Sequence, residues 1–147
     1  MNNCMKLEFL GLSENESFAR AAVSAFVSQL NPTLDELDDI KTAVSEAVTN
    51  AIVHAYPDSI GTVHIKCTLC EESITISVSD TGLGIDNVDL ARTPLYTSVS
   101  GGERSGLGFT VMETFMDSIE VFSTPGRGTV VTMYKKVGLT DAVSACV

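Results

Sequence analysis

The chain has 147 residues, the size of one domain, and its 44% hydrophobic and 19% charged residues are typical of a globular protein with a substantial core. The formal net charge of -10 argues against direct binding to DNA or to an anionic membrane, because phosphate groups would be repelled, and favours basic partners. The sequence contains neither an apolar run of roughly 18 residues nor a charged signal-peptide start, so we expect a cytoplasmic protein.

The hydrophobic pattern predicts a short first strand at 6–10, followed by two helices. Ser13 and Glu16 have the spacing of a capping box, which predicts a first helix that ends near Asn31-Pro32. Its expected apolar stripe contains Phe18, Ala22, Ala25, Phe26 and Leu30.

A second capping box, Thr33 with Glu36, predicts the start of the next helix, which should end before Pro57. The expected apolar face of this helix contains Leu34, Leu37, Ile40, Val44, Val48, Ala51 and Ala55.

Alternating apolar residues then predict a hairpin from residues 61–69 and 74–78, with a turn at Glu71-Glu72. Residues 80–106 are rich in glycine and small polar residues and are expected to form a long functional loop. A helix near Val111 to Met116 and strands at 119–123 and 129–136 complete the domain. This order favours an α+β fold, a two-layer sandwich in which helices cover one face of a mostly antiparallel mixed sheet. The domain is expected to span 1–137, and residues 138–147 form a tail of unknown role.

Four cysteines raise the question of metal or redox chemistry, since Cys67 and Cys70 have CxxC spacing and Cys4 and Cys146 lie near the termini. Residues three apart on a strand point to opposite faces, and the chain has no second CxxC. We therefore interpret Cys67 as a small buried apolar residue.

The most informative residues are Glu46 and Asn50, which lie about one helical turn apart and project from the same face of the second predicted helix. Polar groups on a mostly apolar helix need partners, because their burial is costly. An amide oxygen can bind Mg²⁺, and a nearby carboxylate can accept a proton. The pair is thus a candidate active site.

Three glycine-rich segments follow in order: Asp80-Thr81-Gly82-Leu83-Gly84 after a strand, Ser105-Gly106-Leu107-Gly108 before a helix, and Gly126-Arg127-Gly128-Thr129 before a strand. Each alone is typical of an ordinary turn. Together with Glu46 and Asn50 they indicate a nucleotide pocket, since glycines allow close backbone approach and helix starts offer N–H groups to phosphates. The chain has neither the GxxxxGK[ST] phosphate loop nor the GxGxxG fingerprint.

These segments resemble the boxes of the GHKL ATPase/kinase superfamily, which includes gyrase, histidine kinases and MutL and has the Bergerat ATP-binding fold. Glu46-xxx-Asn50 matches the N box, and the three glycine segments match the G1, G2 and G3 boxes in order and spacing. The resemblance covers about residues 5–136. Within the superfamily, residues 13–20, 44–52 and 103–110 are most similar to the serine kinases of the anti-sigma F factor family of sporulating bacteria.

The resemblance implies a role for each matched residue. Asn50 would hold Mg²⁺ against the phosphates of ATP or ADP, and Glu46 would be the general base that takes the proton of the attacking serine. Asp80 would bind the adenine amine, with Gly82 and Gly84 giving backbone room and Thr129 supporting the same pocket. An ATP lid is implied at about 86–106. Its nucleotide contacts would come from Thr97, Ser98, Arg104, Ser105 and Gly106, with Gly108 beside the phosphates.

The resemblance also implies two protein partners and a homodimer. One partner is sigma F, which would be held inactive, and the other is an anti-anti-sigma factor, which would be phosphorylated on serine. Partner contacts would map to Glu16 and Arg20 on the first helix, and Arg104 would lie near either the γ-phosphate or the docked partner. The acidic composition fits a protein that masks basic regions of a sigma factor.

Three alternatives remain open at this point. A general-stress anti-sigma kinase would prefer a different sigma factor. A free-standing histidine-kinase catalytic domain would form an acid-labile phosphoprotein, and no phospho-acceptor helix pair precedes this domain. A non-catalytic nucleotide-gated binding module would not need Glu46.

Overall fold

The computed structural model describes residues 2–94 and 108–138. The strands are β1 (Asn2–Leu10), β2 (Thr62–Cys70), β3 (Ser73–Asp80), β4 (Ser118–Thr124) and β5 (Gly128–Lys136). The helices are α1 (Glu14–Val27), α2 (Leu34–Asn50), the short α3 (Val88–Ala91) and α4 (Gly108–Phe115). A 3₁₀ turn at Ser28–Leu30 follows α1, and a π-helical turn at Ala51–Ala55 extends α2. The predicted tail lies outside the described residues except for Gly138.

The strands form one sheet in the order β1-β2-β3-β5-β4, and every pairing among the described residues is antiparallel. The predicted α+β fold is confirmed, but the sheet is antiparallel throughout these strands and not mixed. The reason lies in the connections. Short turns join β2 to β3 and β4 to β5, and two helices run out and back between β1 and β2.

The core lies between one face of the sheet and a layer of helices. α2 occupies the middle of that layer, with α1 on one side and α4 on the other. Strands β2 and β3 alternate strictly, so that every second side chain is buried beneath the helices and its neighbours face outward. The fully buried residues of these two strands are Val63, Ile65, Cys67, Leu69, Ile74, Ile76 and Val78. Among residues 2–94 and 108–138, no helix is long and apolar enough to cross a membrane.

Helix α1 begins directly after Ser13, as predicted, but its cap and its buried stripe differ from the prediction. Ser13 has helical angles and its side chain makes no cap hydrogen bond, so the first predicted capping box is wrong. The buried stripe is Ala19, Val23 and Val27, whereas Phe18 is 49% exposed and packs edge-on against Phe9. Small residues at a spacing of four let α1 approach α2 closely, and the larger phenylalanine is left to cover the edge of the sheet.

Helix α2 begins as predicted. Thr33 and Glu36 form the complete capping box, with hydrogen bonds of 2.8 and 3.1 Å. The Glu36 carboxylate also accepts from the N–H of Gly138, just beyond β5, at 3.0 Å. Leu34 is 81% exposed and does not join the apolar face. The remaining members of the predicted face are buried or half-buried.

The interpretation of the CxxC pair is confirmed. Cys67 is fully buried, and Cys4 and Cys70 are exposed. Burial, with a smaller contribution from the charge of Cys4, raises the pKa of the Cys67 thiol to about 12. A neutral thiol in an apolar layer is a poor nucleophile, because the thiolate is the reactive form.

We predict that iodoacetamide at pH 8 will modify Cys4 and Cys70 in the folded protein and leave Cys67 untouched until the chain is unfolded. Peptide mass spectrometry of native and denatured samples separates the sites. Rapid modification of Cys67 in the native sample would contradict the buried placement of β2.

Candidate functional site

Three of the residues predicted for the site meet at the junction of α2 and α4. Gly108, the first residue of α4, is so close to α2 that a Cβ on it would lie 3.2 Å from Asn50 Nδ2 and 3.3 Å from both Asn50 Oδ1 and Glu46 Oε2. Both α2 side chains are half-buried. A carboxylate and an amide oxygen therefore converge on the start of a helix, where free N–H groups favour anions. The spacing of four in the sequence predicted this shared face, but only the fold shows that Gly108 joins it.

The π-helical turn at the end of α2 connects this junction to the predicted base-binding loop. The carbonyl of Ala55, the last residue of the turn, accepts a hydrogen bond from the N–H of Leu83 at 3.0 Å. Gly82 is required there, because a Cβ at this position would overlap the Ala55 carbonyl. The same continuous helix thus carries Asn50 at the end of α2 and, through Ala55 at the end of the π turn, holds the loop.

The opposite side of the loop is held by β4 and by the turn before β5. The carbonyl of Leu83 accepts from Gly126 N at 2.6 Å, and Ser123 Oγ accepts from Ile85 N at 2.6 Å. Gly84 has a φ of 75°, and a Cβ there would overlap the carbonyl of Thr124. Both glycines of the segment therefore make room for neighbouring protein carbonyls. The loop is fixed between helix and sheet before any ligand binds.

Three polar side chains form a row on the helix-facing side of the sheet, at the end of the apolar core. Asp80 on β3 pairs with Thr129 on β5, and Thr129 pairs with Ser123 on β4. The hydroxyls of Ser123 and Thr129 are 2.8 Å apart, and Thr129 is only 8% exposed. The row places a carboxylate and two hydroxyls where a polar ligand edge can be recognised.

Ser123 was not among the residues predicted from the sequence. Its signal was present but weak, because a serine follows Ile119 and Val121 at alternate, inward-facing positions of β4. A polar residue at an inward position needs a partner, and here the partners are Ile85 N, Thr129 Oγ1 and the carbonyl of Gly128.

The electrostatics of Asp80 reflect opposing effects. Burial raises the pKa of its carboxyl above the ordinary value of 3.8, and hydrogen bonds from the backbone N–H groups of Gly82 and Thr129 partly offset the rise. The bond from Gly82 N to Asp80 Oδ1 is 3.0 Å long. A carboxylate has acceptor capacity beyond these two bonds, so Asp80 can still accept from a ligand amine.

The residues predicted to contact partners lie beside the same stretch of α2. Arg20 Nη1 is 3.5 Å from Glu16 Oε1 and 3.3 Å from the hydroxyl of Ser45, the residue before Glu46. The side chains of Arg20 and Glu16 are 40% and 26% exposed. An exposed ion pair of this kind contributes little to stability, so both groups can take other partners at small cost.

The predicted lid is described only at its start. Residues 86–94 contain α3, whose N-terminus is capped by Asn87, and Arg92 forms an ion pair with Glu113 of α4. This contact ties the start of the lid to the helix that follows it. Thr97, Ser98, Arg104, Ser105 and Gly106 lie outside the described residues.

Comparison with known proteins identifies a family and several relatives of this chain. The family model described as the histidine kinase-like ATPase domain matches residues 12–135. A protein of Clostridium perfringens named anti-sigma F factor is 60% identical over 138 residues, which is 93% of this chain and 99% of that protein. A protein of the same name from Caldanaerobacter subterraneus is 56% identical over 93% of this chain and 96% of its own length.

A solved structure shares the fold. The RsbU and RsbW domains of a Mycobacterium tuberculosis protein match with a TM-score of 0.66 at 17% identity, over 92% of this chain. This chain spans about a third of that protein's chain, 32%. At this identity the likeness concerns the fold alone.

The family model spans all four boxes, and near-full-length relatives share more than half of their residues with the chain. A domain of this family binds a nucleotide. The chain therefore belongs to the histidine kinase-like ATPase domain family and, within it, to the anti-sigma F factors.

Proposed function

We propose that this protein binds Mg²⁺-ATP, sequesters sigma F as a homodimer, and phosphorylates a serine of an anti-anti-sigma factor that opposes the sequestration. Near-full-length relatives at 56–60% identity that carry the name anti-sigma F factor support the sigma partner. The observation that carries the kinase proposal is the meeting of Glu46, Asn50 and Gly108 at the start of α4.

The junction fits a magnesium ion. Asn50 supplies an amide oxygen, the hard neutral donor that Mg²⁺ accepts while it keeps most of its waters. The absence of a Cβ at Gly108 lets the Asn50 and Glu46 side chains lie directly against the start of α4, where N–H groups would meet phosphate oxygens. When bound, Mg²⁺ would neutralise phosphate charge. Asn50 would be its protein ligand.

Glu46 would act as the general base in this proposal. The hydroxyl oxygen of the substrate serine attacks the γ-phosphorus, its proton passes to the Glu46 carboxylate, and the bond from phosphorus to the β-γ bridging oxygen breaks to release ADP. Phosphoryl transfer depends mainly on positioning and charge stabilisation, so one base beside a fixed helix start is sufficient protein chemistry. N–H groups at the start of α4 would stabilise negative charge on the transferred group.

Asp80 and Thr129 would recognise the base. Asp80 accepts the hydrogen bond of the exocyclic amine of adenine, and the hydroxyl of Thr129, fixed by Ser123, lies beside it. Because the loop from Asp80 to Ile85 is bonded to both α2 and β4, the acceptor is held in place before the nucleotide arrives. Gly82 and Gly84 act in this proposal by permitting those bonds.

Glu16 and Arg20 would contact the protein partners. They are partly exposed and lie where α1 meets α2 at Ser45, so a partner docked on them is adjacent to the turn of α2 that carries Glu46. The net charge of -10 favours attraction of basic partner surfaces. A shared surface for sigma and substrate would make their binding competitive.

One experiment tests the two partners and the phosphoryl transfer together. Tagged protein is mixed with sigma F and, separately, with a general-stress sigma factor, with and without Mg²⁺-ATP. We expect nucleotide-dependent retention of sigma F alone, and its release on addition of the anti-anti-sigma factor. Label from radioactive ATP should appear on that factor and survive acid, as phosphoserine does and phosphohistidine does not. Retention of the general-stress sigma factor, or an acid-labile label, would refute the proposal.

Replacing the general base should separate the two activities. We predict that Glu46→Gln lowers the rate of phosphorylation by about 100-fold or more, the usual range for a lost general base, and leaves ATP affinity and sigma F retention unchanged. Single-turnover transfer from labelled ATP measures the rate. Glu120→Gln, at an exposed position of β4, serves as the matched control. Normal transfer by Glu46→Gln would rule out its role as the base.

Replacing the metal ligand should affect binding itself. We predict that Asn50→Ala lowers the affinity for Mg²⁺-ATP by about tenfold or more, and that chelation of Mg²⁺ no longer weakens binding further in this variant. Titration calorimetry with and without EDTA gives both values, and Asn2→Ala on β1 is the control. If Asn50→Ala bound Mg²⁺-ATP as tightly as the unaltered protein, the metal assignment would be wrong.

Replacing Asp80 should stabilise the folded protein and weaken its binding of ATP. Its pKa is raised in the folded state, so the folded chain binds the proton more tightly and stability falls as pH rises through that pKa. We predict that Asp80→Asn raises the thermal unfolding midpoint at pH 7, with the difference from the unaltered protein shrinking as pH falls. The same variant should lose about tenfold or more in ATP affinity. A lower midpoint at pH 7 would contradict the direction of the shift.

A further inference from the structure

Tyr56 lies outside every recognised box, yet its hydroxyl joins three elements. It follows the π-helical turn directly, and its Oη donates to the carbonyl of Thr62 at the start of β2, at 2.9 Å. The same oxygen accepts from the N–H of Thr81 at 2.8 Å and lies 3.2 Å from the Thr81 hydroxyl. Thr81 sits between Asp80 and Gly82.

The hydrogen-bonding capacity of the phenol accounts for all three contacts at once. A tyrosine hydroxyl has one hydrogen to donate and can accept through its oxygen. With its hydrogen on the Thr62 carbonyl, the oxygen can accept both from Thr81 N and from the Thr81 hydroxyl. The hydroxyl therefore donates its hydrogen to Thr62 and accepts from Thr81. These bonds fix the backbone immediately after Asp80.

The ring is held as firmly as the hydroxyl. Gly61 lies against its edge, and a Cβ on Gly61 would overlap the ring atoms. A Cβ on Gly11 would lie 3.7 Å from the ring on another side. With the ring lodged between two glycines, the position of Oη is determined by the chain around it.

The other bonds of the loop act on later residues. Ala55 holds Leu83, and Ser123 holds Ile85. Among the bonds described for the loop, only the one from the Thr81 N–H to Tyr56 Oη acts on the peptide group that joins Asp80 to Thr81. Without this bond, the peptide group that joins Asp80 to Thr81 can rotate. Such a rotation would distort the hydrogen bond from Gly82 N to Asp80 Oδ1.

We propose that Tyr56 is a positioning residue for nucleotide recognition: its hydroxyl fixes the Asp80-Thr81 backbone so that the Asp80 carboxylate is aimed at the base before the nucleotide binds. This inference rests on the proposed role of Asp80. Tyr56 acts through the loop and leaves the phosphate end of the site, at Glu46 and Asn50, unchanged.

The first test separates binding from chemistry. Tyr56→Phe keeps the ring and removes only the hydroxyl, and Tyr134→Phe, an exposed tyrosine on β5, is the matched control. We expect Tyr56→Phe to raise the Kd for ADP and the KM for ATP by about threefold to tenfold, the equivalent of one neutral hydrogen bond, and to leave kcat at saturating ATP unchanged. An unchanged Kd, or an equal change in Tyr134→Phe, would overturn the proposal.

The second test needs no nucleotide. Hydrogen exchange of the Thr81 amide, followed by NMR in the free protein, should be slow in the unaltered chain and in Tyr134→Phe, and at least about tenfold faster in Tyr56→Phe. Exchange that is equally slow in Tyr56→Phe would show that the hydroxyl does not hold the loop. A role confined to global stability would lower the unfolding midpoint without this local change and without the change in Kd.

Two further variants keep the outcome interpretable. If Tyr56→Phe does not fold, Gly61→Ala displaces the ring while retaining the hydroxyl, and it should weaken ADP binding in the same way. Asp80→Asn tests the proposed function separately. If it binds ADP normally, the assignment of Asp80 fails, and if it loses ADP while Tyr56→Phe does not, only the positioning role fails.

Discussion

The structure depends on one constraint, that a loop at the end of β3 must be held by a helix on one side and by the sheet on the other. The bond from Leu83 N to the Ala55 carbonyl is the link on the helix side, and the bonds to Gly126 and Ser123 are the links on the sheet side. Neither set would form with a Cβ at Gly82 or Gly84. The loop is therefore an organised part of the domain, which reduces the ordering entropy that ligand binding must overcome.

Helix α2, with its π-helical extension, connects the junction at Glu46 and Asn50 to the loop that follows Asp80. Its first turn is closed by a capping box whose glutamate also binds the chain after β5, its middle is buried on the sheet, and its last turns carry Glu46 and Asn50. A helix fixed at its start and along its length cannot tilt freely. That rigidity sets the distance from the Glu46 carboxylate to the polar row of Asp80, Thr129 and Ser123.

The sequence was sufficient for the main helices and strands and for the shared face of Glu46 and Asn50, and insufficient for the contacts between elements. Spacing identified Glu46, Asn50 and Asp80, because side-chain periodicity and glycine patterns are local properties. It misplaced the buried stripe of α1, since which face is buried depends on the partner helix: Ala19 and Val23 approach α2, and Phe18 covers the sheet edge. It also missed Ser123 and Tyr56, whose partners lie on other elements and are brought close only by strand register and by the turn after α2.

The π-helical turn has a consequence for insertions and deletions. A π turn closes its hydrogen bonds over five residues where an α turn uses four, so it contains one residue more than a regular continuation of α2 would need. Removing one residue from 51–55 would return the segment to α geometry and leave the direction of the following chain nearly unchanged, because the extra residue is absorbed within the wider turn. Adding one residue would instead rotate the following chain by about 100° around the helix axis, one residue's share of a 3.6-residue turn, and would turn the Ala55 carbonyl and the Tyr56 ring away from the loop. The length of this segment is therefore constrained mainly against insertion.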